Sequence, residues 1–173
     1  MRRLLDILRR ASCALALALP LASLPALAAS PEVGPSGLPL PRFVSLAAEP
    51  INIRTGPGKQ YPLKWVYARR GLPVQIVDEF DTWRKIRDLD GEEGWVHGSL
   101  LSRRRTVLLT GADLLGLRRA PAADARLLLR AEPGVVGGLL DCSEGWCFVE
   151  IEGQRGWLER TALYGILPDE MRR

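Results

Sequence analysis

Asn52-Ile53-Arg54-Thr55-Gly56-Pro57-Gly58 opens, and Gly94-Trp95-Val96 closes, the stretch whose reading decides how this chain folds. Ile51-Asn52-Ile53 alternates apolar and polar side chains, as a half-buried strand does. Gly56-Pro57-Gly58 breaks the alternation and starts a loop that ends near Leu63. Trp65-Val66-Tyr67 is rich in strand-favouring side chains, and Arg69-Arg70-Gly71 turns the chain. Val74, Ile76 and Phe80 then fall at even spacing, the mark of one strand face. Asp81-Thr82 is a turn, and a further strand is expected from Trp83 to Leu89. Asp90-Gly91 predicts a tight hairpin in which both central residues take positive φ. Gly94-Trp95-Val96-His97 makes a short strand, and Ser99-Leu100-Leu101 a single helical turn.

The same plan runs a second time. Leu117-Arg118 matches Ile53-Arg54, Ala120-Pro121 stands near Gly56-Pro57, and Pro133-Gly134-Val135-Val136 corresponds to Pro73-Val74-Gln75. Trp146 lies 63 residues after Trp83, and Trp157 lies 62 after Trp95. Gly153 matches Gly91, and Gly156-Trp157-Leu158 matches Gly94-Trp95-Val96. Near-equal offsets across several landmarks indicate an internal duplication. Each unit holds about five short strands separated by turn signals, with almost no helical periodicity, so the fold class is all-β with two small barrels in tandem. Phe43-Val44-Ser45-Leu46 and Thr106-Val107-Leu108-Leu109 supply the first strand of each unit. The expected boundaries are 43–104 and 105–167, with a tail at 168–173. Pro31, Pro35, Pro39 and Pro41, with Gly34 and Gly37 between them, make 29–42 a Pro-rich linker or extended lead-in. Arg103-Arg104-Arg105 reads as a solvated joint between the barrels.

Residues 1–28 read as an export signal. Arg2, Arg3, Arg9 and Arg10 precede an Ala/Leu-rich run, and Ala26-Leu27-Ala28 offers small residues at the cleavage positions. Pro20, Pro25 and two serines make the run a poor spanning helix, so no stable transmembrane segment is expected after cleavage. Four of the 24 basic residues and one of the 20 acidic residues lie in this segment, which leaves a formal charge of +1 on the remainder. That is too little to neutralise a row of phosphates, so nucleic acid is not an expected partner.

Cys142 and Cys147 flank Ser143-Glu144-Gly145-Trp146, where a hairpin can bring them to disulfide distance, and export places them in an oxidising compartment. The alternatives are a redox pair, which usually has two intervening residues at a helix start, and a zinc site, which needs more ligands. The expectation is a structural disulfide. His97, the one histidine, has no nucleophile partner and reads as a surface or capping residue. Asp88, Asp90, Glu92 and Glu93 crowd one hairpin and read as solvated acids. No catalytic residue, metal site or cofactor is expected. Trp83, Trp95, Trp146 and Trp157 recur in both units, which argues for core roles. Tyr61, Trp65 and Tyr67 occur only in the first, so a ligand groove is expected around its long loop, where aromatic faces with Arg54 suit a sugar or a peptide.

The opening Asn-Ile-Arg-Thr-Gly-Pro-Gly at 52–58, the central Trp83 and the closing Gly-Trp-Val at 94–96 resemble the bacterial SH3 domain. The second unit, with Trp146-Cys147, Gly156-Trp157 and Leu163-Tyr164-Gly165, is similar to the second repeat of exported tandem bacterial SH3 proteins, but lacks the Gly-Pro-Gly loop. The resemblance implies two SH3-like barrels that bind rather than catalyse. It implies a periplasmic or secreted protein engaging peptidoglycan or another wall component, or, alternatively, an adaptor for an envelope protein.

Overall fold

The computed structural model describes residues 32–143, 145–168 and 170. The expected signal segment, with Cys13, and most of the tail lie outside the described residues. The first half contains β1 (Glu32–Val33), β2 (Pro39–Leu40), β3 (Arg42–Leu46), β4 (Ile51–Arg54), β5 (Leu63–Tyr67), β6 (Pro73–Phe80), β7 (Trp83–Arg87), β8 (Glu93–His97) and β9 (Leu101–Ser102). The second contains β10 (Thr106–Leu109), β11 (Leu115–Arg118), β12 (Leu127–Ala131), β13 (Val136–Cys142), β14 (Trp146–Ile151), β15 (Gln154–Glu159) and β16 (Leu163–Tyr164). One sheet has the order β5-β4-β8-β7-β6-β3-β9, and the other β12-β11-β15-β14-β13-β10-β16. The second order is the first with every strand advanced by seven places, so the duplication seen in the sequence is a duplication of topology. A single 3-10 turn precedes the last strand of each sheet, at Gly98–Leu100 and Arg160–Ala162.

Each barrel has its own core. Leu46, Ile51, Ile53, Val74, Ile76, Ile86 and Val96 fill the first. Val107, Leu109, Leu117, Leu139, Val149, Ile151 and Leu158 fill the second. Burial of each such side chain is worth about 1.5–3 kcal/mol relative to exposure. The glycine of the closing Gly-Trp-Val motif is there for packing. A Cβ on Gly94 would stand 2.3 Å from Ile53 Cγ2 and 3.2 Å from the Arg54 carbonyl. Gly156 is equally tight, with the Arg118 carbonyl at 2.7 Å. The glycine lets β8 cross close over β4, and β15 over β11.

Four expectations are corrected. Phe80 does not face inward: it is 58% exposed. A bulge between Ile76 and Asp78 inserts one residue opposite β7, which inverts the alternation, turning Glu79 in and Phe80 out. The recurring tryptophans are half-buried rather than core. Register pairs Trp95 with Lys85 and Trp83 with His97, on the outer face, while Ile86 and Val96 take the inner one. At the β7–β8 connection Gly91 has positive φ but Asp90 does not. The Asp88 carboxylate there accepts from the Asp90 and Glu92 amides at 3.1 and 2.9 Å, so the turn is closed by a side chain. At the equivalent β14–β15 connection of the other barrel both turn residues do take positive φ, Glu152 at 50° and Gly153 at 82°. Finally, the Pro-rich lead-in is a built element: β1 pairs with β2, and Leu40 lies in the first core.

Glu79 holds that lead-in down. Its side chain is 1% exposed. It accepts from the Ser36 amide at 2.8 Å, from Ser36 Oγ at 2.9 Å and from Arg42 at 2.5 Å, with Arg84 Nε at 3.1 Å. Burial pushes its carboxyl upward, but the Arg42 and Ser36 hydrogen bonds outweigh burial and hold it at about 2. In the second barrel the corresponding pair is the disulfide Cys142–Cys147, with Cα atoms 4.1 Å apart.

Candidate functional site

The four residues expected to line a groove lie on β4, the following loop and β5. Arg54, at the end of β4, donates from Nη1 to the Tyr61 carbonyl at 2.7 Å and so pins the loop. Arg118 does the same in the second barrel, with the Ala125 carbonyl at 2.9 Å. The loop keeps its shape in both copies: the Gly58 amide donates to Gly56, and the Ala122 amide to Ala120. The Gly-Pro-Gly sequence is thus not what shapes this loop. Its first glycine does make room for an aromatic ring, since a Cβ on Gly56 would stand 2.4 Å from the Tyr61 ring. Tyr61 is 40% exposed over this backbone. Trp65 is packed partly against the first core, edge-on to Tyr67 with ring centroids 6.0 Å apart, and Lys64 Nζ sits 4.8 Å from the Trp65 centroid. On the exposed side of β5, Leu63 and Val66 are 49% and 45% exposed.

Tyr67 shares that ring contact with Trp65, but its polar end serves another place. Its hydroxyl points to the junction between the barrels and donates to Asp88 Oδ2 at 2.6 Å. Tyr164, on β16, reaches the same place and donates to the Arg87 carbonyl at 3.3 Å. Burial first, then the adjacent Asp88 carboxylate, raises the Tyr67 phenol far above its ordinary value. Burial and the Asp88 charge push Tyr164 up to about 12. A cavity of about 170 Å³ lies here, lined by Tyr67, Asp88, Asp90 and Tyr164 over Leu72 and Leu108. Asp88 and Tyr164 were missed as site residues. Asp88 lies in a charged turn that reads as wet surface, and nothing in the sequence pattern brings β16 against the first barrel.

Direct contacts fix the junction around this cavity. Thr106 Oγ1 donates to the Gly71 carbonyl at 2.8 Å, and Arg69 Nη1 donates to the Gly134 carbonyl at 2.7 Å. Phe43 meets Tyr164 edge-on at 5.2 Å. Arg105, read as part of a solvated joint, lies over the Phe43 ring and binds Glu170 and the Gly165 carbonyl. A second, more polar cleft of about 360 Å³ is lined by Arg70, Arg104, Glu150 and Glu152 among others.

His97 caps the 3-10 turn of the first barrel: its Nδ1 accepts from the Ser99 amide, and its ring meets Trp83 edge-on at 5.5 Å. Among the described residues no group of three or more His, Cys, Asp and Glu is placed to hold a metal ion. Among them, too, no helix is long and apolar enough to cross a membrane.

Residues 47–103 and 111–165 each match the bacterial SH3 domain. The chain belongs to the bacterial SH3 family. This tandem bacterial SH3 protein is 25% identical over 124 residues to YrvJ of Bacillus subtilis, by name an N-acetylmuramoyl-L-alanine amidase. The match covers 65% of this chain and 24% of that protein. Among solved structures it is similar to NlpC2 from Trichomonas vaginalis, with a TM-score of 0.33 and 12% identity over 72% of this chain and 48% of that one. A NlpC/P60 family protein from Bacillus cereus gives 0.32 and 13%, over 70% and 55% of the two chains. The chain therefore spans about a quarter of the length of YrvJ and about half of these solved chains.

Proposed function

We propose that this protein is an exported, non-catalytic binding module of the cell envelope that engages peptidoglycan or another wall component. The observation that carries the proposal is the pair of bacterial SH3 repeats, and the 124-residue likeness to a protein named as an N-acetylmuramoyl-L-alanine amidase supports it. The disulfide and the signal-like residues 1–28 support a periplasmic or secreted location. The proposed surface is Arg54, Tyr61 and Trp65, with Tyr67 against the Trp65 ring. Arg54 sets the loop, the Tyr61 ring is the exposed contact, and Trp65 is packed partly against the first core.

Sedimentation of the exported protein with purified sacculi tests this. Binding that survives moderate salt and weakens in Tyr61→Ala supports the reading. Tyr61 is the better probe because Trp65→Ala would also disturb the core. Absence of co-sedimentation at low and moderate salt removes the reading. A second reading, an adaptor for an envelope protein, rests on Leu63 and Val66, which stand exposed on β5 at the end of its sheet. Crosslinking to one defined protein through position 66, without sacculus binding, would favour it.

A further inference from the structure

The cavity at the junction has a chemical bias that the loop surface lacks. Its lining is apolar at Leu72, Leu108 and their neighbours, and the polar side chains in it are Tyr67, Asp88, Asp90 and Tyr164. Both phenol hydrogens are committed, one to Asp88 and the other to the Arg87 carbonyl. A hydroxyl that has given its hydrogen offers lone pairs alone, and an ionised carboxylate is an acceptor only. Burial and the carboxylates keep both phenols neutral. Arg87 is the neighbouring cation, and it is tied to Glu93 at 2.9 Å from Nε and 2.5 Å from Nη2. Four acceptors, two of them charged, thus converge over an apolar floor.

The fold does not require these groups. Register places Ala131 in the second barrel where Tyr67 stands in the first, and Ser102 in the first where Tyr164 stands in the second. Each barrel is complete with the smaller residue, so the cluster is specific to the junction.

We propose that this junction cavity binds one alkylammonium group, the side chain of a lysine or another diamino acid in a short peptide. An ammonium brings three donors and no acceptor. Its methylene stem suits the Leu72 and Leu108 floor, and the two rings add favourable cation–π contact. Size supports a single side chain: sites for drug-sized ligands run to roughly 300–1,000 Å³, and this one is about 170 Å³. An anion would meet two carboxylates. The inference rests on the chemistry of the cavity and stands whether or not the wall reading does.

The test is an NMR titration of the full chain with acetyl-lysine-methylamide, against the norleucine and Nε-acetyl-lysine equivalents. The lysine compound shifts amides at Leu108, Tyr164 and Asp90 with millimolar affinity, fading as salt rises, and the other two do not. Asp90→Asn, at an exposed turn position, weakens the response roughly three- to tenfold while leaving the fold intact. No shift at these amides, equal shifts from norleucine, or an unaffected Asp90→Asn overturns the proposal. Sacculus binding without lysine-compound binding leaves the wall reading and removes this one, and the reverse result does the opposite.

Discussion

The tip of the β6–β7 hairpin and the tip of β13–β14 occupy the same place in the two barrels and are closed by different chemistry. Register opposes Glu79 to Arg84 in one and Cys142 to Cys147 in the other. A bulge precedes both, between Ile76 and Asp78 and between Leu139 and Asp141, and turns the next residue but one inward. A carboxylate in that position must be neutralised and hydrogen-bonded. Arg42, Arg84 and the Ser36 amide and hydroxyl do this, which anchors the lead-in on the first barrel. A disulfide in the same position asks for no partner. Arg105 stands in the second barrel where Arg42 stands in the first, and it binds Glu170 and Gly165 instead. One inward position has thus drawn in an N-terminal segment in the first copy, and in the second has left its arginine to a different task.

The largest effect expected from breaking this comparison is at Glu79. Glu79→Ala leaves Arg42 and Arg84, with side chains 16% and 19% exposed, facing each other without their anion. Removing one partner of a buried pair costs about 3–5 kcal/mol. Urea unfolding should show that loss, together with faster amide exchange over residues 32–40. A loss below about 1 kcal/mol would mean the site behaves as a surface pair.

The two closures also differ in what undoes them. The folded carboxyl of Glu79 titrates at about 2, against an ordinary 4.5. Its stabilisation is therefore full above the unfolded value and is lost as pH falls from about 5 through 2. The displacement corresponds to about 3 kcal/mol. Urea midpoints across that range should fall less steeply in Glu79→Gln than in the parent. The disulfide has no such dependence. It closes a short loop, and its reduction costs about 2 kcal/mol in the chain-entropy account. Dithiothreitol at neutral pH should lower stability by that amount in the parent and not in a Cys142→Ser/Cys147→Ser variant.

Sequence pattern carried the architecture because landmark spacing survives divergence: the tryptophans at 83 and 146, and the glycines at 94 and 156, keep their offsets. Cys142–Cys147 was legible for a different reason: both partners flank one turn. One failure came at a bulge. Alternation predicts an inward Phe80, and one inserted residue reverses it, which no period-two count can register. The tryptophans misled because recurrence shows a shared role and says nothing of which face carries it. Around the loop, Arg54, Tyr61, Trp65 and Tyr67 were proposed from residue type; the structure puts the Tyr67 ring on Trp65 and its hydroxyl on Asp88, a partner that residue type does not indicate. Asp88 and Tyr164 were out of reach, because 76 positions separate them and the packing of one barrel on the other joins them.

The smallest expected effect tests whether the bulge is one device used twice. The Asp78 carboxylate accepts from the Glu79 amide at 2.7 Å, and the Asp141 carboxylate accepts from the Cys142 amide at 2.8 Å. Each bond gives a partner to the amide two positions beyond the inserted residue. The inward side chains that follow differ entirely, yet the bond lies on the backbone and is the same in both. Asp78→Ala and Asp141→Ala should then each cost about 1 kcal/mol, the net worth of one such hydrogen bond. Thermal unfolding of the two variants, each with the disulfide intact, measures this. Equal losses make the bulge a feature of the repeat that existed before its two tips diverged. A loss at Asp78 alone would mean that the covalent link already holds the Cys142 backbone, so that the second barrel no longer needs the bond its sequence still makes.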